Sequence, residues 1–331
     1  TKRGNSSKTW TKKKLGENMK IVILDRATLG FDIDMSVFEV LGEVKSYDIT
    51  KPNEIIQRLQ DADIVITNKV VISKEVMDNS NLKLICISAT GTNNVDLEYA
   101  KQKNIQVKNV AGYSSSSVVQ LAFSMIFHIV QKLDYYKKYV DEGNWQKSQI
   151  FTHIDKPFFE LDGKKVGIIG LGDIGRNFAK KASAFDCEVM YYSTSGKNSN
   201  SEYKQVSLDE LLSTCDIISI HCPLNENTKD LLNYENMKNM KNGAILLNLG
   251  RGGIINEADL AKIIDEKEIY CGIDVVNIEP ILEDNPLLKV KNKQRLLLTP
   301  HIGWASIEAR TRLVKMVAEN IKEFISQKRI S

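Results

Sequence analysis

The sequence lacks the patterns typical of a metal-binding, disulfide-bonded or membrane protein. Five cysteines are scattered over 331 residues, and no two of them have the CxxC spacing of a zinc or redox site. No apolar run approaches the about 20 residues that cross a bilayer, and none resembles the apolar stretch of a secretory signal. We therefore expect reduced thiols, no bound metal, no membrane contact and a cytoplasmic location.

The sequence also lacks a basic surface suited to nucleic acid. Its net charge is +3, but residues 1–18 contain six Lys or Arg and one Glu, so the remainder carries a charge of −2. These 18 residues have too few apolar side chains to fold alone, and we expect a flexible extension or a tag before Met19. A basic arm for nucleic acid is the less favoured alternative, because short charge runs are usually solvated tails.

From Met19 onward, short β-branched runs alternate with amphipathic stretches. This alternation predicts parallel sheets covered by helices on both faces, and the length of the chain predicts two domains. The first series has predicted strands at Ile21–Leu24, Val44–Tyr47, Ile64–Thr67, Leu84–Ser88 and Ile105–Val107. The second has six, enough for a full doubly wound sheet, at Val166–Ile169, Glu188–Tyr192, Asp216–His221, Ala244–Leu249, Tyr270–Asp274 and Leu296–Leu298.

Two helices and one irregular segment complete the predicted layout. Apolar residues at helical spacing predict one long helix over Ser116–Val140 and a last helix over Ser306–Ser326. The stretch Glu142–Leu161 has no such period but contains four aromatic residues. Those rings need a surface to pack against, and a second subunit is a plausible partner.

A glycine-rich sequence opens the second series. Gly170, Gly172 and Gly175 form a GxGxxG motif between a predicted strand and a predicted helix. In that setting the glycines permit a tight turn, close approach of a pyrophosphate and close helix packing, so the motif predicts a dinucleotide site. Where an acidic residue would bond the ribose hydroxyls, the sequence has Ser193, with Lys197 nearby. Both NAD(H) and NADP(H) therefore remain open.

Three residues that follow later strands have the chemistry needed to reduce a 2-oxo acid. Arg251 offers a forked guanidinium for a carboxylate, and His301 is a general acid suited to neutral pH. Glu279, beside the imidazole, would orient it and favour its protonated form. Because ligands bind at the carboxyl ends of strands in such sheets, we expect the three residues to meet there.

Together these motifs resemble those of the D-isomer-specific 2-hydroxyacid dehydrogenases, from about Met19 to Phe324. The resemblance implies a Rossmann NAD(P)-binding domain (114–303, with a dimerisation arm at about 142–161) inserted into a flavodoxin-like substrate-binding domain, or lid (19–113 and 304–331). It also implies a homodimer. Arg251 would hold the substrate carboxylate, His301 would be the general acid, and Glu279 would be its partner.

The resemblance further implies contacts that spacing alone does not mark. Asp274 would touch the nicotinamide carboxamide, and Pro223 would border the adenine. Implied cofactor contacts are Gly170, Gly172, Asp173, Ile174, Gly175, Ser193, Cys222, Pro223, Thr228, Asn248 and Asp274, and implied substrate contacts are Thr90, Gly91, Thr92, Arg251 and Trp304.

Within the family, segments 112–120, 156–163 and 301–310 are most similar to hydroxypyruvate reductases (glycerate dehydrogenases), which act on hydroxypyruvate or glyoxylate. The sequence departs from the family at Ser193, where Asp is usual, and at Gln120, where many relatives have Glu. A phosphoglycerate or D-lactate dehydrogenase of the same family and a non-catalytic NAD(H)-sensing protein stay as alternatives. A formate dehydrogenase is disfavoured, because it would have Gln in place of Glu279.

Overall fold

The structure, a computed structural model, describes residues 19–197 and 202–328, so the extension expected over residues 1–18 lies outside the described residues. The strands are β1 Lys20–Ile23, β2 Glu43–Ser46, β3 Ile64–Thr67, β4 Leu84–Ile87, β5 Gln106–Lys108, β6 Lys165–Ile169, β7 Glu188–Tyr192, β8 Lys204–Gln205, β9 Ile217–Ile220, β10 Ala244–Asn248, β11 Ile269–Ile273 and β12 Leu296–Leu298. The α-helices are α1 Ile55–Leu59, α2 Lys74–Asp78, α3 Leu97–Gln102, α4 Ser115–Gln131, α5 Leu133–Asp141, α6 Asp173–Ser183, α7 Leu208–Thr214, α8 Tyr234–Met237, α9 Glu257–Glu266 and α10 Ile307–Lys328.

The described residues form two compact units, and the first combines residues 19–114 with residues 305–328. Its five strands are all parallel, in the order β2-β1-β3-β4-β5, which is the flavodoxin-like order. Every residue of β3 and β4 is buried, as expected for strands covered on both faces. Helix α10 contacts β4 and buries Leu313, Val317 and Ile321, which recur at helical spacing.

The second unit, Ser115–Trp304, contains a seven-stranded parallel sheet in the order β12-β11-β10-β9-β6-β7-β8. Numbered within the unit, this is the Rossmann order 3-2-1-4-5-6 with one further strand. The strand order reverses between β6 and β9, and ligands bind at the carboxyl ends of the strands beside such a reversal. The predicted fold class, a Rossmann unit inserted into a flavodoxin-like unit, is confirmed.

The long helix predicted over Ser116–Val140 is wrong as a single element. Two helices, α4 and α5, meet at a bend of 56°, where Lys132 adopts a left-handed backbone with φ +50°. Helix α4 is largely buried, whereas α5 has no buried residue, so the bend lets the chain leave the core. The sequence also does not predict β8, an edge strand of two residues, because so short a segment has no periodic pattern.

Helix α4 supplies one side of the core of the second unit. Its buried residues Val119, Ala122 and Ile126 belong to a cluster with Ile168 and Phe178. No single helix of the described residues is long and apolar enough to cross a membrane. The bent pair of α4 and α5 meets that test by length and composition alone.

Candidate active site

The glycine motif forms the turn between β6 and α6. Gly170 has φ +94°, and a Cβ there would lie 2.7 Å from the backbone nitrogen of Cys222. A Cβ on Gly175 would lie 2.3 Å from the carbonyl oxygen of Gly170. In contrast, a Cβ on Gly172 would meet nothing within 4 Å. The protein itself needs glycine at the two outer positions, whereas the space over Gly172 at the start of α6 fits a phosphate group.

Ser193 directly follows β7, at the carboxyl edge of the sheet. Its side chain is buried, and its hydroxyl makes no hydrogen bond to any residue that the structure describes. A buried hydroxyl without a partner is unusual and fits a polar ligand group. Asp173 and Ile174 begin α6: Asp173 is exposed and accepts a hydrogen bond from the Ser115 hydroxyl, and Ile174 packs against the core.

Uncharged side chains follow β9, beside the glycine turn. Burial lowers the pKa of His221 to about 3 and raises the pKa of the Cys222 thiol to about 11, so both are neutral at neutral pH. Thr228 is fully buried, and its hydroxyl donates to the carbonyl of Pro223 over 2.7 Å. It also accepts from the backbone N–H of Asn225 over 2.8 Å. Thr228 therefore shapes the turn that presents the exposed Pro223.

Arg251 lies on the loop after β10. Buried Asn248 shapes this loop, because its amide donates to the carbonyl of Arg251 over 3.0 Å and accepts from the backbone N–H of Gly250 over 3.1 Å. The guanidinium is exposed, and within the described part of the chain it bonds only the carbonyl of Gly250, at 2.8 Å. It pairs with no carboxylate of residues 19–197 or 202–328, and is thus open to an external anion.

Asp274, at the end of β11, holds the loop that carries His301. One carboxylate oxygen accepts from the Thr299 hydroxyl over 2.6 Å and from the backbone N–H of Ile302 over 2.8 Å. The other accepts from the N–H of Gly303 over 2.8 Å. His301 itself has φ +53°, a conformation that costs a non-glycine residue energy and persists only where neighbours enforce it.

His301 and Glu279 form a hydrogen-bonded pair. The imidazole Nδ1 lies 2.7 Å from Glu279 Oε2, and Glu279 Oε1 accepts from the backbone N–H of Val276 over 3.2 Å. Both side chains are about a quarter exposed, at 27% and 29%. The imidazole Nε2 makes no hydrogen bond to the described residues, so it is available to a reacting group.

Comparisons with known proteins agree with this geometry. Residues 123–303 match the model of the D-isomer specific 2-hydroxyacid dehydrogenase NAD binding domain. The chain is 41% identical over 317 residues to the hydroxypyruvate reductase of Blautia hydrogenotrophica, covering 93% of this chain and 97% of that protein. The chain belongs to the D-isomer-specific 2-hydroxyacid dehydrogenase family.

A further relative and a solved structure are similar to the chain over most of its length. The glycerate dehydrogenase of Methylorubrum extorquens is 35% identical over 312 residues, covering 93% of this chain and 97% of that one. The structure of an acyclic imino acid reductase in complex with NADPH and D-Arg has a TM-score of 0.81 and 29% identity, covering 94% of this chain and 98% of that chain. The family predicted from the motifs is thus confirmed, and with it an NAD(P)-dependent enzyme that acts on 2-hydroxy acids.

The implied site residues of this dehydrogenase fall into two groups. Those after β6, β7, β9, β10, β11 and β12 share the carboxyl edge of one sheet, as predicted. Thr90, Gly91 and Thr92 belong to the other unit, where they follow β4. The Thr90 hydroxyl donates to the Val110 carbonyl over 3.0 Å, which fixes that loop. Trp304 is the last residue of the second unit and is half-buried.

Two groups that support the site did not stand out in the sequence. Thr299 bonds Asp274, and only its position two residues before His301 could have indicated this. Glu257 at the start of α9 accepts hydrogen bonds from Asn277 and Asn285, which lie on either side of Glu279 in the chain. Glu257 lies 22 residues before Glu279, and no local sequence pattern links it to the Glu279–His301 pair.

Proposed function

We propose that this dehydrogenase reduces a small 2-oxo acid of the hydroxypyruvate or glyoxylate type to the D-2-hydroxy acid, with His301 as the general acid. The observation that carries the proposal is the 2.7 Å contact between His301 Nδ1 and Glu279 Oε2. A carboxylate on Nδ1 directs Nε2 outward and stabilises the imidazolium, as proton donation requires. The names of the two relatives, hydroxypyruvate reductase and glycerate dehydrogenase, support the substrate class.

In the proposed chemistry, Arg251 and His301 interact with different groups of the substrate. Arg251, which has no carboxylate partner among the described residues, would bind the substrate carboxylate through its forked guanidinium. A nicotinamide cofactor, when bound, would be the source of the hydride that the carbonyl carbon accepts. His301 gives its Nε2 proton to the carbonyl oxygen, so that imidazolium becomes neutral imidazole and the oxygen becomes a hydroxyl. Glu279 keeps the imidazolium in place and stabilises its charge until the proton leaves.

Other implied residues would bind or position the cofactor. Gly170, Gly172 and Gly175 would hold the pyrophosphate at the start of α6, and Ser193 would lie near the ribose. For Asp274 we propose a second role besides a nicotinamide contact: its carboxylate positions the His301 loop through three hydrogen bonds.

A substrate panel tests the proposed activity. The loss of NADH and NADPH absorbance would be followed with hydroxypyruvate, glyoxylate, pyruvate and 3-phosphohydroxypyruvate. We expect the highest kcat/KM with one of the first two. His301→Ala should reduce kcat by about 10²–10⁴-fold and leave the Kd of NADH unchanged, with His128→Asn as a surface control. A preference for the phosphorylated acid or for pyruvate would instead indicate a phosphoglycerate or D-lactate dehydrogenase.

Glu279→Gln tests the acid pair. Without the negative neighbour, imidazolium is less favoured, so the protonated form used in reduction disappears at lower pH. We expect the falling limb of kcat/KM for reduction to move toward acid. In the oxidative direction neutral His301 is the base, and the variant should tolerate low pH better than the wild type. An undisplaced limb would remove Glu279 from the mechanism.

We propose that the residue at position 193 sets the cofactor preference, and that the cofactor is NAD(H) or NADP(H). The residue is neutral, so nothing at this position repels a 2′-phosphate as a carboxylate would. Ser193→Asp should accept bonds from the ribose hydroxyls and repel the phosphate, which raises the ratio of NADH to NADPH efficiency. Ser195→Asp, two residues later on the exposed turn, is the matched control. Equal ratios in wild type and Ser193→Asp would place the ribose elsewhere.

The proposed roles of the two units follow from the same assignment. The Rossmann unit would bind the dinucleotide, and the flavodoxin-like unit would bind substrate through Thr90, Gly91 and Thr92. We also propose a homodimer formed through the arm at about 142–161, where most apolar side chains, including Phe151 and Ile154, are exposed. A cytoplasmic location is supported by five free thiols, since such thiols persist in a reducing compartment.

A further inference from the structure

We propose that Glu257 is a positioning residue that holds the loop of Glu279 in place, and that it acts on the reaction through the Glu279–His301 pair. Its carboxylate lies at the start of α9 and contacts both sides of that loop. Oε1 accepts from the backbone N–H of Asn277 over 2.5 Å, and Oε2 accepts from the amide of Asn285 over 2.7 Å. The inference rests on the proposed function, because it acts through the acid pair.

The loop between these two contacts is exposed. Residues 277–284 are all exposed, including the apolar side chains of Ile278, Ile281 and Leu282, although the Glu279 side chain itself is only 29% exposed. Exposed loops with little apolar burial belong to the least stable parts of a fold, so their geometry depends on their fixed ends. One carboxylate that bonds both ends limits the positions that Glu279 can take.

Contacts other than those of Glu257 also hold the two ends of the loop of Glu279. On the near side, Gly252 is so close to the backbone of Val276 that a Cβ would lie 2.0 Å from its carbonyl oxygen. On the far side, Asn285 is buried and accepts from the N–H of Leu287 over 2.9 Å, as the cap of a short 3₁₀ turn. Glu257 therefore joins the loop to α9, the helix that begins a few residues after Arg251.

The carboxylate is needed for both contacts at once. Each of its oxygens accepts from one N–H, and bonds of this kind to an ionised group are stronger than neutral ones. A glutamine can accept with one atom only, and its NH₂ group would then face a second donor. Glu257→Gln thus releases one end of the loop and keeps the size of the side chain.

The test compares pH profiles of kcat/KM for reduction in four forms: wild type, Glu257→Gln, Glu279→Gln and the double variant. We expect Glu257→Gln to move the falling limb toward acid by part of the shift that Glu279→Gln causes. We also expect kcat to fall about tenfold, with a smaller change in KM. In the Glu279→Gln background, Glu257→Gln should add no further shift, because it acts through Glu279. Glu266→Gln, on the same helix and bonded to the Tyr234 hydroxyl over 2.8 Å, is the control.

The glutamine variants distinguish an error in the role of Glu257 from an error in the proposed acid pair. A limb that moves in Glu279→Gln but not in Glu257→Gln overturns the role of Glu257 and leaves the acid pair intact. A limb that moves in neither variant overturns both assignments. If Glu257→Gln fails to fold, Asn285→Ser replaces it, because serine keeps the cap and loses the amide donor. The same acid shift in Asn285→Ser supports the inference, and its absence overturns it.

Discussion

His301 combines a functional group with an unfavourable backbone. Its φ of +53° is rarely adopted by a residue with a Cβ, yet the neighbouring Asp274 enforces it. The Asp274 carboxylate binds the chain on both sides of the histidine, and the N–H of His301 donates to the Asp274 carbonyl over 2.9 Å. The strain is therefore confined to one residue between groups held by a buried carboxylate, which keeps the imidazole directed at Glu279.

His221 makes stability depend on pH, although it takes no part in the proposed chemistry. Its folded-state pKa of about 3 lies below the ordinary 6.5, because burial disfavours the imidazolium. The unfolded chain therefore binds more protons between these values. Stability should be lost as pH falls below about 6.5, at about 1.4 kcal/mol per pH unit from this group.

His221→Asn removes that dependence. We expect a lower melting temperature than the wild type at neutral pH, because the bond to the Ser219 hydroxyl at 2.9 Å is altered. Between about pH 6 and pH 4 the melting temperature of the variant should fall less steeply than that of the wild type. Scanning fluorimetry across pH measures this, with His128→Asn as the control. Parallel curves for wild type and His221→Asn would show that folding does not lower the pKa of His221.

For individual residues, the sequence predicts which side chains lie close together better than it predicts the hydrogen bonds that each of them makes. The order of the strands brings Arg251, Glu279 and His301 to one sheet edge, and that follows from the motifs. The hydrogen bonds of Asp274 and Thr228 do not follow, because they depend on loop conformations that no periodic pattern encodes. The burial of the Ser193 hydroxyl, which has no hydrogen-bond partner in 19–197 or 202–328, likewise emerges only in the packed structure.

The turn between β6 and α6 contains glycine for two different reasons, ligand space and backbone packing. Substitutions at Gly172 and Gly175 test them. Gly172→Ala should leave the melting temperature little changed, because its φ of −78° is ordinary and its Cβ would meet nothing within 4 Å. It should weaken NADH binding by about tenfold or more, since the methyl group would occupy space needed by the pyrophosphate. Fluorescence titration with NADH measures the Kd.

Gly175→Ala should behave in the opposite way. Alanine favours a helix by about 1 kcal/mol over glycine, but its Cβ would lie 2.3 Å from the backbone oxygen of Gly170. Overpacking against backbone costs about 1–3 kcal/mol, so we expect the clash to prevail and the melting temperature to fall by several degrees. A Gly172→Ala protein that binds NADH like the wild type would show that the pyrophosphate lies elsewhere.

The sequence predicts well the helices and strands that have a clear hydrophobic pattern. It does not predict those whose bounds depend on tertiary contacts. The buried strands β3, β4, β9 and β10 lie within two residues of their predicted positions, because continuous apolar runs mark them. The break at Lys132 has no such signal, since neither glycine nor proline stands there. Helix α5 continues the amphipathic pattern, and only tertiary structure decides that it bends away.

For the whole molecule we predict a homodimer formed through the arm at about 142–161. The arm is tied to α5, since His153 stacks on Tyr139 at 3.7 Å and bonds the Tyr135 hydroxyl at 2.8 Å. Most of its apolar side chains nevertheless face outward, with Phe151 89% and Ile154 72% exposed. A fixed segment that exposes such side chains is typical of an isologous interface.

Light scattering at micromolar concentration measures the oligomeric state. We expect twice the monomer mass for the wild type and a shift toward monomer in Ile154→Asp, because a buried charge would oppose association. Ile49→Asp is the matched control, since Ile49 is also 72% exposed and belongs to the other unit. A monomeric wild type, or equal effects of the two substitutions, would contradict the prediction.

The division of the first unit along the chain has a consequence for biosynthesis. Strands β1 to β5 leave the ribosome before the 190 residues of Ser115–Trp304 are made, and α10 follows them. At about 5–20 residues per second this takes roughly 10 to 40 seconds. During that interval the apolar side chains that pack against Leu313, Val317 and Ile321 have no cover. We therefore expect the nascent five-stranded sheet to be the part of the polypeptide that chaperones protect.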